Sequence, residues 1–199
     1  MRVALFDYGV GNLHSLAKAL QAGGAEVTLE TEIVPALRSD ALVLPGVGAF
    51  GPAAAALLPL AETLRNALNA GHPCLGICLG MQLLFESSEE GLGMGLGVLP
   101  GGVRRLRARR VPHMGWNEVG PLQRDPLFDG ITPMFAYFAN SYVAEPADQN
   151  DVIAWTEYDG DTFASAIRRD RTWGVQFHPE KSGQSGVQLI RNFLNHARA

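Results

Sequence analysis

Cys74-Leu75-Gly76-Ile77-Cys78-Leu79-Gly80-Met81-Gln82 is the stretch on which the reading of this chain turns. Cys74 to Ile77 is a short apolar run of the kind that forms a strand buried on both faces, and Met81 to Phe85 reads as part of the helix that follows it. Between them Cys78 is framed by Gly76 and Gly80. A strand that bends sharply into a helix crowds its central residue, and flanking glycines relieve that crowding. The central side chain then stands above the sheet at a helix N-terminus, where the dipole favours a thiolate. The backbone N–H of Leu79 points to where an oxyanion would form beside the sulfur. A buried strand cysteine followed by a glycine turn accounts for an isolated G-x-C-x-G equally well. Cys74, inside the strand with no such turn, reads as a core thiol.

Upstream, strand-like and helix-like patterns alternate. Val3 to Phe6 is an apolar run, and Leu13, Leu16, Ala17 and Leu20 then recur on one helical face, with Asn12 placed to cap it. Gly23-Gly24 ends that helix, Val27 to Leu29 and Ala41 to Leu44 are further strands, and a helical stretch from Ala53 to Leu68 is interrupted at Pro59. Such alternation builds a parallel sheet covered on both faces. Downstream the character changes. Trp116–Val119, Met134–Phe138, Val152–Trp155, Phe163–Ile167 and Thr172–Phe177 are strand-like, with Gly, Pro and Asp between them. A closing helix carries Val187, Ile190, Phe193 and Leu194. The expected fold is α/β: an open mixed, mainly parallel sheet flanked by helices and extended by antiparallel strands, in one domain over residues 1–199.

Composition narrows the function. The chain has 199 residues, 47% of them hydrophobic and 18% charged, with a net charge of -4. That is the balance of a globular protein, and the negative sign argues against binders of nucleic acid or anionic lipid. Two cysteines make no disulfide framework, and no further ligands suggest a metal or cofactor site. The N-terminal apolar run is too short for a secretory signal, and prolines and glycines interrupt the uncharged Ala41–Ala61 stretch too often for a spanning helix. A soluble, reducing, cytoplasmic setting follows.

In an open parallel sheet, ligands bind beyond the carboxyl ends of the strands. Two further motifs lie there. His178-Pro179-Glu180 ends a strand, and a thiol that attacks and later leaves needs a base that becomes an acid at neutral pH. Glu180 is placed to fix the imidazole tautomer and steady its charged form. Pro45-Gly46-Val47-Gly48 ends another strand, where Gly46, Val47 and Gly48 can bring a peptide N–H to the oxyanion. Each alone also reads as an ordinary turn.

Gly76-Ile77-Cys78-Leu79-Gly80-Met81-Gln82 together with Gly174-Val175-Gln176-Phe177-His178-Pro179-Glu180 resembles the class I, triad-type glutamine amidotransferases. Asp7-Tyr8-Gly9-Val10-Gly11-Asn12, Pro45 to Phe50, His113-Met114-Gly115-Trp116-Asn117 and Lys181-Ser182 are similar, within that family, to the glutaminase subunits of imidazole glycerol phosphate synthases. The resemblance implies that Cys78, His178 and Glu180 hydrolyse glutamine, with Gly46, Val47, Gly48 and Leu79 around the oxyanion. It implies that Gln82, Ser141 and Tyr142 hold the substrate, and that no cofactor or metal takes part. It implies a separate (β/α)8 cyclase subunit as partner in a heterodimer, met by Asn12, Trp116, Asn117 and Lys181, to which ammonia passes for histidine biosynthesis. The basic run Arg104, Arg105, Arg107, Arg109 and Arg110 reads as a solvated strand and loop, or as a contact to the partner. The glycine-rich stretch Gly91–Gly97 lacks the strand–helix setting of a nucleotide loop and reads as a surface loop. The glutaminase half of an anthranilate-type synthase, a stand-alone cysteine hydrolase and an inactive binding subunit are the competing readings.

Overall fold

Residues 1–121 and 124–198 are described by the computed structural model. The first part of the chain runs β1 (Arg2–Phe6), α1 (Leu13–Ala22), β2 (Glu26–Glu30), α2 (Ile33–Ala36), β3 (Ala41–Leu44), α3 (Phe50–Leu57), α4 (Ala61–Asn69), β4 (Cys74–Ile77) and α5 (Leu79–Gln82). It continues with β5 (Ser87–Ser88), β6 (Gly101–Arg105), β7 (His113–Pro121), β8 (Met134–Asn140), β9 (Tyr142–Pro146), β10 (Val152–Tyr158), β11 (Asp161–Arg169), β12 (Thr172–Val175) and α6 (Gly183–His196).

Side chains alternate faces along a strand, so an apolar residue at every position requires cover on both sides. β1 shows this directly. Val3 and Leu5 pack toward Leu16 and Leu20 of α1 and Ile190 and Phe193 of α6. Ala4 and Phe6 pack toward Phe50, Leu57 and Leu64 of α3 and α4. The parallel strands lie in the order β2-β1-β3-β4-β12, and β11, β10, β7 and β8 continue the sheet antiparallel. The expected α/β architecture with a mixed sheet extended by antiparallel strands is the one observed, but among the described residues antiparallel pairings outnumber parallel ones, so the sheet is not mainly parallel. β3, β4 and β12 are neighbours, so the loops leaving their carboxyl ends meet at one place.

Pro59 does interrupt the helical stretch, in a 3-10 turn from Leu58 to Leu60. Asn12 does cap α1, its side-chain oxygen accepting from the Ser15 N–H at 3.4 Å. Four further expectations need correction. The helix after Cys78 stops at Gln82 rather than reaching Phe85, because the carbonyls of Leu83, Leu84 and Phe85 accept from Leu96, Val98 and Gly97 instead of continuing a helix. The end of the glycine-rich stretch, Gly95 to Gly97, is therefore pinned, while Leu92, Gly93 and Met94 are exposed, as a surface loop would be. Second, β6 and β9 form an antiparallel pair that the pattern of apolar residues did not reveal. Third, Arg104 is not solvated: it is buried, with Nη1 and Nη2 on the two Asp161 oxygens at 2.7 and 2.8 Å. Fourth, α6 buries Leu189 fully, while Val187 is half-buried at its margin. Among the described residues no helix is long and apolar enough to cross a membrane.

Candidate active site

Cys78 joins β4 to α5 with φ 52° and ψ −107°, in the left-handed region that a residue other than glycine enters only under constraint. The constraint is close packing. A Cβ on Gly80 would lie 2.0 Å from the Leu44 carbonyl oxygen, and one on Gly76 would lie 2.8 Å from the Gly80 carbonyl oxygen. One on Gly46 would meet the Leu79 Cβ at 2.4 Å. Three glycines thus interlock the end of β3 with the elbow, and the Cys78 N–H is fixed to the Val175 carbonyl at 2.7 Å. Leu79 opens α5, so its N–H is among the donors that no helical carbonyl can satisfy. α5 is a single turn, and its dipole is correspondingly smaller than that of a long helix.

β12 delivers His178 to the same place. The His178 backbone is held by Tyr137, whose carbonyl accepts its N–H at 2.8 Å, and by the buried Ser182 hydroxyl, which donates to its carbonyl at 2.6 Å. Its Nδ1 lies 2.9 Å from Glu180 Oε1, with both side chains almost fully buried. Burial would push the imidazole toward its neutral form. The hydrogen-bonding and charge interactions with Cys78 and Glu180 outweigh it and raise its pKa to about 9. Nε2 makes no formed hydrogen bond within the chain, although Cys78 is among the groups that raise the imidazole's pKa.

A cavity of about 280 Å³ opens over the sulfur. Val47, Gly48, Leu79 and Gln82 line it, with Ser141 and Tyr142 across from them. Gly46 is buried beneath Leu79, whereas Val47 is 41% exposed and Gly48 holds φ 121° with open space where a Cβ would stand. The carbonyls of Ser141 and Tyr142 are already occupied, by the Leu106 N–H and by the amides of Gln82 and Asn140. These two residues shape the wall; the Tyr142 carbonyl has both lone pairs engaged, whereas the Ser141 carbonyl keeps one acceptor position open. A larger cleft of about 780 Å³ between Gly130–Pro133 and α6 touches Glu180 but neither Cys78 nor His178.

Four residues near the sulfur were not singled out from the sequence. Gln176 donates from Nε2 to Cys78 Sγ at 3.4 Å. Asn140 and Glu90 line the cavity, and Glu90 accepts the Phe50 N–H at 2.8 Å. The Tyr8 hydroxyl donates to the Pro45 carbonyl, and burial, ahead of the nearby thiols, pushes its pKa well above the ordinary phenol value. Gln176 and Tyr8 sit inside the blocks Gly174–Glu180 and Asp7–Asn12, and that membership is the signal the sequence offers. Among the described residues no cluster of His, Cys, Asp and Glu could hold a metal ion.

The residues expected at a partner face divide. Trp116 is 59% exposed and stands edge-on to Tyr137, and exposed Lys181 places its ammonium 5.5 Å over the same ring. Asn12 is exposed at the start of α1, which packs beside the Pro179–Lys181 turn. Asn117 does not join them. Successive strand residues face opposite ways, and its amide is taken by the Glu157 carbonyl at 2.9 Å and the Glu118 N–H at 2.8 Å.

The glutamine amidotransferase class-I family matches residues 4–197. Imidazole glycerol phosphate synthase subunit HisH of Synechococcus elongatus is 45% identical over 206 residues, spanning 100% of this chain and 94% of that one. The subunit of the same name from Methanothermobacter thermautotrophicus is 46% identical over 202 residues, spanning 99% and 100%. Among solved structures, a glutamine amidotransferase superposes with a TM-score of 0.77 at 20% identity, covering 99% of this chain and 100% of that one. PurLQS from Thermotoga maritima superposes with a TM-score of 0.79 at 19% identity, covering 98% of each chain. At these identities the superpositions speak for the fold.

Proposed function

The chain belongs to the class-I glutamine amidotransferase family, and we propose that within it the protein is the glutamine-hydrolysing subunit of an imidazole glycerol phosphate synthase. End-to-end identity of 45% and 46% to subunits of that name supports the assignment to this synthase. The hydrolytic chemistry rests on one observation: a thiol in a strained elbow shares a cavity with an imidazole that a buried carboxylate braces.

In this reading Cys78 Sγ attacks the side-chain amide carbon of glutamine, and the carbonyl oxygen takes the negative charge. The N–H of Leu79 and a peptide N–H from the Gly46–Val47–Gly48 strand stabilise it. His178, cationic below a pKa of about 9, gives its proton to the departing nitrogen as the C–N bond breaks and ammonia leaves. The sulfur is then acylated and no longer bears the charge that favoured the imidazolium. His178, now neutral, takes a proton from water attacking the thioester, and glutamate leaves with the thiolate restored. Water is the only co-reactant. Gln82 contacts the amino-acid end of glutamine, and Glu90 offers a carboxylate on the cavity wall to its ammonium group.

The ammonia is used by a cyclase subunit, a separate (β/α)8 chain that docks over the cavity in a cytoplasmic heterodimer. Asn12, Trp116 and Lys181 supply the docking face. Gly46 anchors the oxyanion strand on Leu79 while open Gly48 gives it slack, so the Gly46–Val47 peptide reorients when the cyclase and its ribotide ligand bind. Glutaminase turnover measured with and without the cyclase and ribotide tests this; equal rates would sink the coupling. Lys181→Glu weakens complex formation and leaves the rate of thiol alkylation unchanged, and unaltered affinity would remove Lys181 from the interface.

A further inference from the structure

Gln176 lies two residues before His178, and no step of the hydrolysis described above uses it. Its side chain is completely buried, where an amide needs partners for its donors and its acceptor. It finds them in one line. Gln82 Nε2 donates to the Tyr142 carbonyl at 3.0 Å and to Gln176 Oε1 at 3.0 Å, and Gln176 Nε2 donates to Cys78 Sγ at 3.4 Å.

The direction of this relay is not a free choice. A backbone carbonyl can only accept, so Tyr142 compels Gln82 to present its amide nitrogen. That nitrogen compels Gln176 to present its oxygen, which leaves the Gln176 N–H pointing at the sulfur. Turning Gln176 over would set two donors against each other and aim an oxygen lone pair at the thiolate.

We propose that Gln176 stabilises and aims the Cys78 thiolate, as the last member of a buried relay that ties the nucleophile to the wall of the glutamine cavity. This deepens the reading of Cys78 as nucleophile and rests on it. A hydrogen bond to the charged form of a group favours that form, and an anionic sulfur accepts more strongly than a thiol. Gln82 acts on the sulfur through Gln176 as a positioning residue, in addition to its contact with substrate.

The test uses the complete synthase, with the cyclase and its ribotide ligand present, and follows glutaminase kcat and KM against pH. Gln176→Met keeps the side-chain length and removes both hydrogen bonds. Gln176→Glu keeps the acceptor for Gln82 and removes the donor to sulfur. Both variants are expected to lose about 10- to 100-fold in kcat, the worth of a hydrogen bond to a charged group, with KM changed by less than about threefold. In both the acid limb of kcat/KM moves to higher pH, further in Gln176→Glu because a carboxylate faces the thiolate. A packing role alone would lower the yield of folded Gln176→Met without moving its limb, so the shift in that variant separates the two roles. An acid limb at the wild-type position in folded Gln176→Glu overturns the proposal, and this variant decides the matter if Gln176→Met does not fold. Cys78→Ala separates the two levels. Residual turnover in that protein would overturn the nucleophile itself, whereas an inert Cys78→Ala beside unshifted Gln176 variants overturns only the relay.

Discussion

Two glycine-lined walls flank the Cys78 sulfur, and they use glycine for opposite reasons. In the first, Gly46, Gly76 and Gly80 have ordinary backbone angles and no room: each would drive a Cβ into a neighbouring main chain. In the second, Gly48 has ample room and an angle that a side chain resists. Close packing makes the first wall stiff, since no neighbour can shift without moving the sheet. An exposed peptide beside an open left-handed glycine makes the second adjustable. In the proposed function the nucleophile is thereby fixed by the fold, and the oxyanion donor is left to be set by the partner that docks above it.

The contrast can be broken first at the stiff wall. Gly80→Ala places a Cβ on the Leu44 carbonyl, and the loss should reach or exceed the upper end of the roughly 1–3 kcal/mol typical of overpacking. Urea unfolding measures it, and wild-type stability would refute the interlock. The largest effect on turnover concerns the base behind that wall. Glu180→Gln should lower kcat by as much as about 10⁴-fold, because the imidazole loses its charged brace and its tautomer. It should also move the alkaline limb of kcat/KM to lower pH, since Glu180 helps hold His178 at about 9. The same group gives stability a sign. A histidine with a raised folded pKa contributes stability that is fully present below about 6.5 and lost as pH rises through about 9. Thermal melts should therefore decline across that window in wild type and flatten in Glu180→Gln.

Smaller effects sharpen the loose wall. Gly48→Ala meets no obstacle, so its cost is the backbone angle alone, about 1–3 kcal/mol. Its signature is a drop in the cyclase-stimulated rate, while partner-free turnover changes little; equal loss in both states would place Gly48 with the stiff group. Tyr8→Phe frees the Pro45 carbonyl at the base of this strand. Loss of one neutral hydrogen bond, net about 1 kcal/mol, predicts about a fivefold change in turnover with thiol alkylation unaltered.

What could be read beforehand follows the range of the forces involved. Apolar runs such as Val3–Phe6 and Ala41–Leu44 declare two-sided burial locally, so the parallel half of the sheet was legible. Cys78 and His178 were legible because each sits in a block whose glycines or proline shape its own turn. The pairing of β6 with β9 was not, since Gly101-Gly102 and two arginines read as a solvated strand, whereas its inward arginine is neutralised by Asp161 across the fold. Trp116 and Asn117 looked alike as neighbours in one motif, and only strand pleating separates an exposed ring from an amide bound to its own chain. The part played by Gln176 depends on an acceptor at Tyr142, far away in sequence, that no local pattern announces.

The chain's other cysteine carries a consequence for oxidative damage. Cys74 is sealed in β4, and burial drives its thiol's ionisation far above the ordinary range. Four residue steps of extended chain place it about 13 Å from Cys78, roughly twice the reach of a disulfide. A peroxide that converts Cys78 to a sulfenic acid therefore meets no resolving thiol in the same chain. Rescue has to come from an outside reductant such as a small thiol, and overoxidation past that stage would silence the subunit for good.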